Sequence, residues 1–553
     1  MLTLTKEAYR ALEDIVGPEN ASEDPAILDS YAFEVLADLV RPDLSHYMPR
    51  PVAVVLPAST EEVQALVKLC NRLKVKVKPL STGWYHWAAP LRDDEPTLQI
   101  DLRRMNRILE IDEKNGLAVI EPYVVASQLQ AELLKRGLNM NVTGAGASCS
   151  ILASACAYAG QGPSAYYMGG NAENLLALEW VTPAGEVVRT GSHGSGDGWF
   201  CGDGPGPSVR GICRGALGSR GGMGVYTKCA VKLHHWPGAT DMPVHGTVPA
   251  YRLPVPENFR VYTVAVPSWD AWADIYHQIY DNEIGYSFHR QFNLAGADLA
   301  PAFWLTYNDA TKQLSDIPAL AATPGMAELT DELRISFQLL LAGRSMRDVE
   351  LQDRILDQIL TTVGGWRVKR FCEEDMAEFT NMYLVRLGHK HINYSWAGGF
   401  IGSWTQSGTP DWVKGYVPLA KAGLERDAAP GFLVQSGGDA MMGSGSGLPG
   451  GGTTGLEQFV SYDPAEPRSV SAAVRHMYDA IKDATSHGYP PGKEAAYVEL
   501  RKTDEEIRAA LSGAQQPLIF RFQRKLKDAF DPNDVGDRMY QTLGPEGVPD
   551  PRS

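Results

Sequence analysis

Arg50-Pro-Val-Ala-Val-Val-Leu-Pro57, Ser59-Thr-Glu-Glu-Val-Gln-Ala-Leu-Val-Lys-Leu-Cys-Asn-Arg72 and Val75-Lys-Val-Lys-Pro-Leu80 follow one another directly. The first run is β-branched and bounded by prolines, as a short strand should be. In the second, Ser59 or Thr60 can cap a helix whose apolar positions 63, 66, 67 and 70 fall on one face. The third is a strand again. Strand, helix and strand make a βαβ unit, and the loop that leaves its last strand, Pro79-Leu-Ser-Thr-Gly-Trp-Tyr-His86, sits where α/β folds present ligand sites.

Outward from this unit the chain keeps a mixed rhythm. Leu98–Leu102 and Ala118–Pro122 read as strands, and a helix is expected from about Ala126 to Lys135. Leu178–Arg189 reads as a hairpin turning at Pro183-Ala-Gly185, and Val225–His234 as a closing strand. Between them lies Thr143-Gly-Ala-Gly-Ala-Ser148, which leads into a helix of very small residues. Residues 1–46 look like a helical lead-in, 241–480 are richer in long helices and aromatics, and a basic helix ending at Phe530 is stopped by Asp531-Pro-Asn533.

The 553 residues carry 51 basic and 66 acidic side chains, a formal charge of −15, which argues against general affinity for nucleic acid. The 44% hydrophobic content is that of a folded protein, and no stretch has the apolar length of a membrane helix. The N-terminus lacks a signal layout, so a cytoplasmic protein is the expectation. Seven cysteines at 70, 149, 156, 201, 213, 229 and 372 form no C-x-x-C pair, so neither a disulfide framework nor a zinc site is expected.

Both glycine-bearing loops can present backbone N–H groups without side-chain obstruction, the arrangement that binds diphosphate. A single such loop is more often structural. There is no G-x-G-x-x-G after a strand and no G-x-x-x-x-G-K-[ST], which excludes ordinary Rossmann and P-loop readings.

The order of the pieces resembles a known family. Residues 50–63, Pro79–Gly83, Ile100–Ile111, Glu121-Pro122, Gly144–Ser148, Leu178–Thr190 and Arg214–Lys228, with the tail Phe530–Val535, are similar to the FAD-binding domain of the vanillyl-alcohol oxidase and p-cresol methylhydroxylase flavoproteins. The resemblance implies an α+β fold: a two-subdomain FAD-binding domain (47–240), an α+β cap over an antiparallel sheet (241–480) and a C-terminal segment (481–553) returning to the FAD domain. It implies FAD contacts from Ser81, Thr82, Gly83, Trp84, Tyr85, His86, Pro122, Gly144, Ala145, Gly146, Ala147, Ser148, Ser150, Ile151, Ala155, Gly221, Gly224, Val225 and Arg521. His86 stands where some members tether the ring covalently, although Ser-Thr-Gly-Trp-Tyr-His departs from their usual patterns. Its other reading is a loop imidazole. Cys149 and Cys156 invite a second bond, or are small packing residues.

The implied function is oxidation of an alcohol, hydroxy acid or phenolic substrate, with oxygen or an electron carrier as acceptor and an oligomeric assembly. Its rivals are a 4-substituted-phenol oxidase or methylhydroxylase and a flavin-binding scaffold without activity. In the cap, His389 and His391 of Arg386-Leu-Gly-His-Lys-His-Ile-Asn-Tyr394 would share one face of a strand. A neutral imidazole suits a base at pH 7, while a metal pair or plain packing are the other readings. Tyr167 stands where phenol-oxidising relatives carry a tyrosine, though their following aspartate is missing. Arg386, Tyr394 and Tyr383 could form an anion or phenolate site. Arg521, Arg524, Lys525 and Lys527 are expected to be the solvated face of the last helix, with room for one cation beside the flavin.

Overall fold

The computed structural model describes residues 2–34, 36–41, 43–83, 88–144, 146–157, 160–192, 198–199, 209–214, 219, 221–246, 252–290, 326–386, 399–435, 441–444, 454–489 and 517–537. It is a mixed helix-and-sheet fold built on three principal sheets, none closed on itself.

The βαβ unit forms as its sequence requires. Ser59 caps the Thr60–Leu73 helix by accepting the Glu62 N–H (3.1 Å), and Val63, Leu66, Val67 and Cys70 are buried on its inner face. Ala53–Val55 and Lys76–Leu80 flank Thr97–Asp101 in parallel, and Ala21–Ser22 adds an antiparallel edge. The second sheet is antiparallel, in the order Ile108–Asp112, Leu117–Ile120, Val225–Lys232, Leu175–Val181, Val187–Arg189. The hairpin at 175–189 is present, but its partner on the other side is the closing strand, inserted between it and Leu117–Ile120.

Glu179 joins these two sheets. Its buried carboxylate accepts from Thr60 at the helix start (2.6 Å) and from Lys228 (2.7 Å) and Arg189 (2.9 Å). Burial alone would raise its pKa, yet the bonds from Lys228, Thr60 and Arg189 pull it down to about 2.

The eight-stranded third sheet includes Trp366–Arg367, Phe259–Ala265, Ser336–Ala342, Ser287–Arg290, Met441–Ser444, Thr454–Tyr462 and Gly399–Gly408 in that order, with Leu433–Gln435 also paired to Thr454–Tyr462. One face carries Phe288, Phe337 and Leu339 under the Trp269–Asp281 and Met346–Val363 helices. On the other face, Phe259, Val261 and Leu340 pack into a core shared with Leu129, Leu133 and Met168 of the N-terminal half.

Both ends of the chain behave less locally than their sequence suggests. The helices Lys6–Val16 and Pro25–Ala32 are followed by a turn at Ala37–Leu39 that packs on the Pro467–Ser486 helix. After the Pro517–Phe530 helix, Val535 accepts the Val77 N–H (2.8 Å), and Gly536 bridges Val77 as an extra parallel edge. Lys527, expected to be solvated, is buried: its ammonium meets Asp531 (2.7 Å) and the Gly222 carbonyl. Lys525 on the same helix is exposed.

Because the folded Glu179 titrates below its ordinary value of 4.5, its contribution is complete above that value and fades as the pH falls toward about 2. A full shift of this size is worth about 3 kcal/mol, reduced to about 1–2 kcal/mol by the solvent reaching Arg189 and Lys228. Glu179→Gln is therefore expected to unfold at lower denaturant than wild type at pH 7, with the gap closing by pH 2–3. A gap that stays constant with pH contradicts the clamp.

Candidate functional site

Three backbone segments converge beside the βαβ unit. The Pro122–Ser127 stretch runs against 147–151: Ala126 N–H donates to the Cys149 carbonyl (3.0 Å), Ser127 to Ala147 (2.8 Å) and Ile151 to Val124 (3.1 Å). Ser150 is the joint. Its hydroxyl donates to the Pro122 carbonyl (2.6 Å) and accepts the Ala153 N–H (3.0 Å), capping the Ile151–Cys156 helix. Its own N–H donates to Thr82 Oγ1 (3.2 Å), so the loop leaving Lys76–Leu80 is tied to the glycine turn at 143–149. On the far side of that loop, Glu34 accepts the Ala89 N–H (3.0 Å) and Gln99 donates to the Ala88 carbonyl (3.0 Å).

The glycines are there because nothing larger fits. Gly144 donates to the Gln161 carbonyl (2.5 Å), and a Cβ on Gly162 would lie 1.7 Å from the Val142 carbonyl oxygen. Gly146, at φ +128°, is different: it is buried, yet a Cβ there would meet none of the described residues within 4 Å. Buried backbone facing open space, framed by two turns and a helix start, is a cradle for a group that the protein itself does not supply. The residues thus fit the diphosphate of an extended dinucleotide such as FAD. Below the cradle, Gly221 packs on Pro79, and Ser219 N–H donates to the Cys156 carbonyl (2.9 Å).

The structure brings together Ser81, Thr82, Gly83, Pro122, Gly144, Gly146, Ala147, Ser148, Ser150 and Ile151, with Ala155 on the capped helix and Gly221 beneath. Gly224 and Val225 lie farther along that lower turn, against Val181 and Pro183 and in the core between the sheets. Trp84, Tyr85, His86 and Ala145 lie outside the described residues, as do His389, His391 and Tyr394. Arg386 and Arg521 are the end and the interior of described helices, but their side chains are not described. Tyr167 is partly exposed and stacks on Tyr286 (centroids 5.0 Å apart), whereas Tyr166 is buried and donates to the Ile284 carbonyl (3.0 Å). Cys156 is buried with Cys229 and Cys213 nearby, and burial holds its thiol well above the ordinary range, so it is packing rather than a nucleophile.

One group, His289, escaped the sequence reading, and it stands against Tyr383, which that reading had named. Tyr383 shares its hydroxyl hydrogen bond with His289 Nε2 (2.9 Å), both fully buried. The strand alternation of Tyr286-Ser-Phe-His-Arg290 was the available signal. Backbone continuity joins this pair to the cradle, because Phe288 N–H donates to the Pro163 carbonyl (3.0 Å), next to Gly162. Among the described residues no cluster of three His, Cys, Asp or Glu is placed to hold a metal, and no described helix is long and apolar enough to cross a membrane.

Residues 51–191 match the family of the FAD binding domain, and the chain carries that domain and binds FAD through it. Similar curated proteins include the alkyldihydroxyacetonephosphate synthase of Dictyostelium discoideum, 27% identical over 42% of this chain and 37% of that one. An uncharacterized FAD-linked oxidoreductase of Mycobacterium tuberculosis is 30% identical over 41% of this chain and 46% of its own. The glycolate oxidase subunit GlcD of Bacillus subtilis is 25% identical over 42% and 45%. The chain thus spans less than half the length of each. Among solved structures, p-cresol methylhydroxylase with substrate bound superposes with a TM-score of 0.72 at 19% identity, covering 96% of each chain. The 4-ethylphenol oxidase of Gulosibacter chungangensis gives 0.70 at 17% over 98% of each. These two likenesses concern the fold.

Thr82→Val removes the acceptor of the Ser150 N–H while keeping shape. It is expected to weaken flavin retention about five- to tenfold, one neutral hydrogen bond of roughly 1 kcal/mol, and Gly162→Ala to abolish it. Wild-type flavin content in both variants, read by absorbance per protein, contradicts the cradle.

Proposed function

We propose that this chain, a member of the p-cresol-methylhydroxylase-type FAD-binding flavoproteins, is an FAD-dependent oxidoreductase acting on an alcohol, hydroxy acid or phenolic compound. The observation that carries the reading is the tie from Ser150 N–H to Thr82 Oγ1, which closes two glycine-bearing turns around open space in front of buried Gly146. Bound FAD supplies a two-electron acceptor for a hydride from a carbon bearing oxygen.

The chain's own residues have the remaining tasks. The turn from Gly144 to Ser148, with Thr82 and Ser150, holds the diphosphate against the backbone at Gly146. The small Ile151–Cys156 helix keeps the backbone close to the cofactor, and Trp84, Tyr85 and His86 are the further cofactor contacts that the resemblance implies. In this reading 47–240 is the cofactor domain, 241–480 the cap that excludes water, and 481–553 the segment that closes the cofactor domain. His389 and His391 take and hold the substrate's hydroxyl proton, and Arg386, Tyr394 and Tyr167 orient the substrate. Oxygen or an electron carrier receives the electrons, and the protein works in the cytoplasm.

The purified protein is expected to be yellow and to bleach anaerobically with at least one member of a panel of alcohols, hydroxy acids and 4-substituted phenols. His389→Gln and His391→Gln should slow that bleaching, the true base by about a hundredfold or more, with flavin content unchanged. A yellow protein that no donor bleaches contradicts oxidation and leaves a flavin scaffold. Undiminished bleaching in both variants removes the histidines from the reaction.

A further inference from the structure

The strand register of the third sheet sets Thr263 opposite Gln338 and Gln338 opposite His289. Residues paired across antiparallel strands share a face, so these three side chains form one row. That face is the one whose Val261 and Leu340 pack into the core shared with the cofactor half, and the Glu374–Arg386 helix lies against it. From that helix Tyr383 reaches His289 Nε2 (2.9 Å), and Asn381 fixes the approach by donating to the Leu253 (3.2 Å) and Pro254 (2.9 Å) carbonyls.

The row is buried and incomplete. Gln338 is 2% exposed, yet neither its amide oxygen nor its amide nitrogen has a hydrogen-bond partner among the described residues. Thr263 Oγ1 is in the same condition, and so is the hydroxyl of Ser287, two positions before His289 on the same face. Folded proteins satisfy nearly all such groups, and a whole row of exceptions needs an occupant. The row is also close to the cradle along the backbone, since Phe288, beside His289, is bonded to Pro163.

The donor set tells what the occupant is. An amide offers one donor and one acceptor, and hydroxyls turn to suit either. Among the described residues no Lys or Arg belongs to the row: Arg290 alternates to the opposite face and donates to the Ser336 (2.7 Å) and Arg334 (2.6 Å) carbonyls. A carboxylate would therefore be poorly matched, whereas an uncharged hydroxyl, which both gives and accepts, is well matched. We infer that Thr263, Gln338 and the Tyr383–His289 pair form a subsite that binds an uncharged hydroxyl group of the substrate. This rests on the oxidoreductase reading for the identity of the ligand as substrate, while the subsite itself stands on the register and the unmatched groups.

Holoprotein, Thr263→Val and Gln338→Met are compared by thermal melting and by calorimetric titration with 4-methylphenol, benzyl alcohol and toluene. Wild type is expected to bind the hydroxylic probes at least tenfold more tightly than toluene. Gln338→Met should lose that preference, and Thr263→Val should lose at least threefold of it. Both variants should melt about 2–5 °C higher than wild type, because each removes a polar group left unmatched in the free protein. Lower melting points with unchanged binding make the row a structural, hydrated feature and overturn the inference. Equal binding of toluene and the hydroxylic probes by wild type also overturns it. If the preference exists and depends on Gln338 but no probe bleaches the flavin, the subsite stands and the oxidation reading falls; calorimetry reads the same preference in a colourless protein.

Discussion

Ser150 is the joint on which the candidate site depends. One residue ties the 122–127 segment through its hydroxyl, starts the Ile151–Cys156 helix as its cap, and holds the Thr82 loop through its N–H. Each bond is ordinary in strength, worth about 1 kcal/mol. Their common origin is what matters, because three segments distant in sequence are fixed by a single side chain and its peptide group. With that joint made, Gly144 and Gly162 can approach neighbouring carbonyls, and the backbone at Gly146 is left facing space.

The rest of the molecule holds this joint from outside. Glu179 fastens the βαβ helix to the second sheet, and the C-terminal segment closes the other edge. There Lys78 meets Asp537, and Lys527 meets Asp531, which in turn accepts the Val535 (2.7 Å) and Gly536 (2.8 Å) N–H groups. Buried charges of this kind add little net stability over an apolar packing, but removing one partner costs about 3–5 kcal/mol. They act as a lock on register: Lys78 lies on the strand that delivers the Thr82 loop, so the turn at 531–537 and the first ligand loop are held by the same pairs.

Local chemistry made much of this readable in the sequence. Ser59 and the 63, 66, 67, 70 spacing define the Thr60–Leu73 helix with no help from distant residues, and Pro183-Ala-Gly185 turns its hairpin for the same reason. The glycine turn at 143–148 was legible because its small residues leave the backbone unobstructed, as at Gly146. What escaped was long-range. No periodicity says that Val225–Lys232 inserts beside Leu117–Ile120, that Lys527 turns inward to Gly222, or that Ala37–Leu39 docks on a helix some 430 residues later. The Thr263, Gln338 and His289 row was hidden likewise, since each polar residue in its own strand reads as an ordinary alternation and only the pairing reveals a common face. His389, His391 and Tyr394 fall outside the described residues, so the reading of the cap's chemistry stays with the sequence.

The central claim is that backbone at the two turns recognises a diphosphate. Protein produced under flavin depletion and titrated with FAD, FMN and ADP tests it most directly. Tight binding of FAD, competition by ADP and far weaker binding of FMN are the predicted result. FMN binding as tight as FAD, with no competition by ADP, would place recognition on the ring alone and contradict the account.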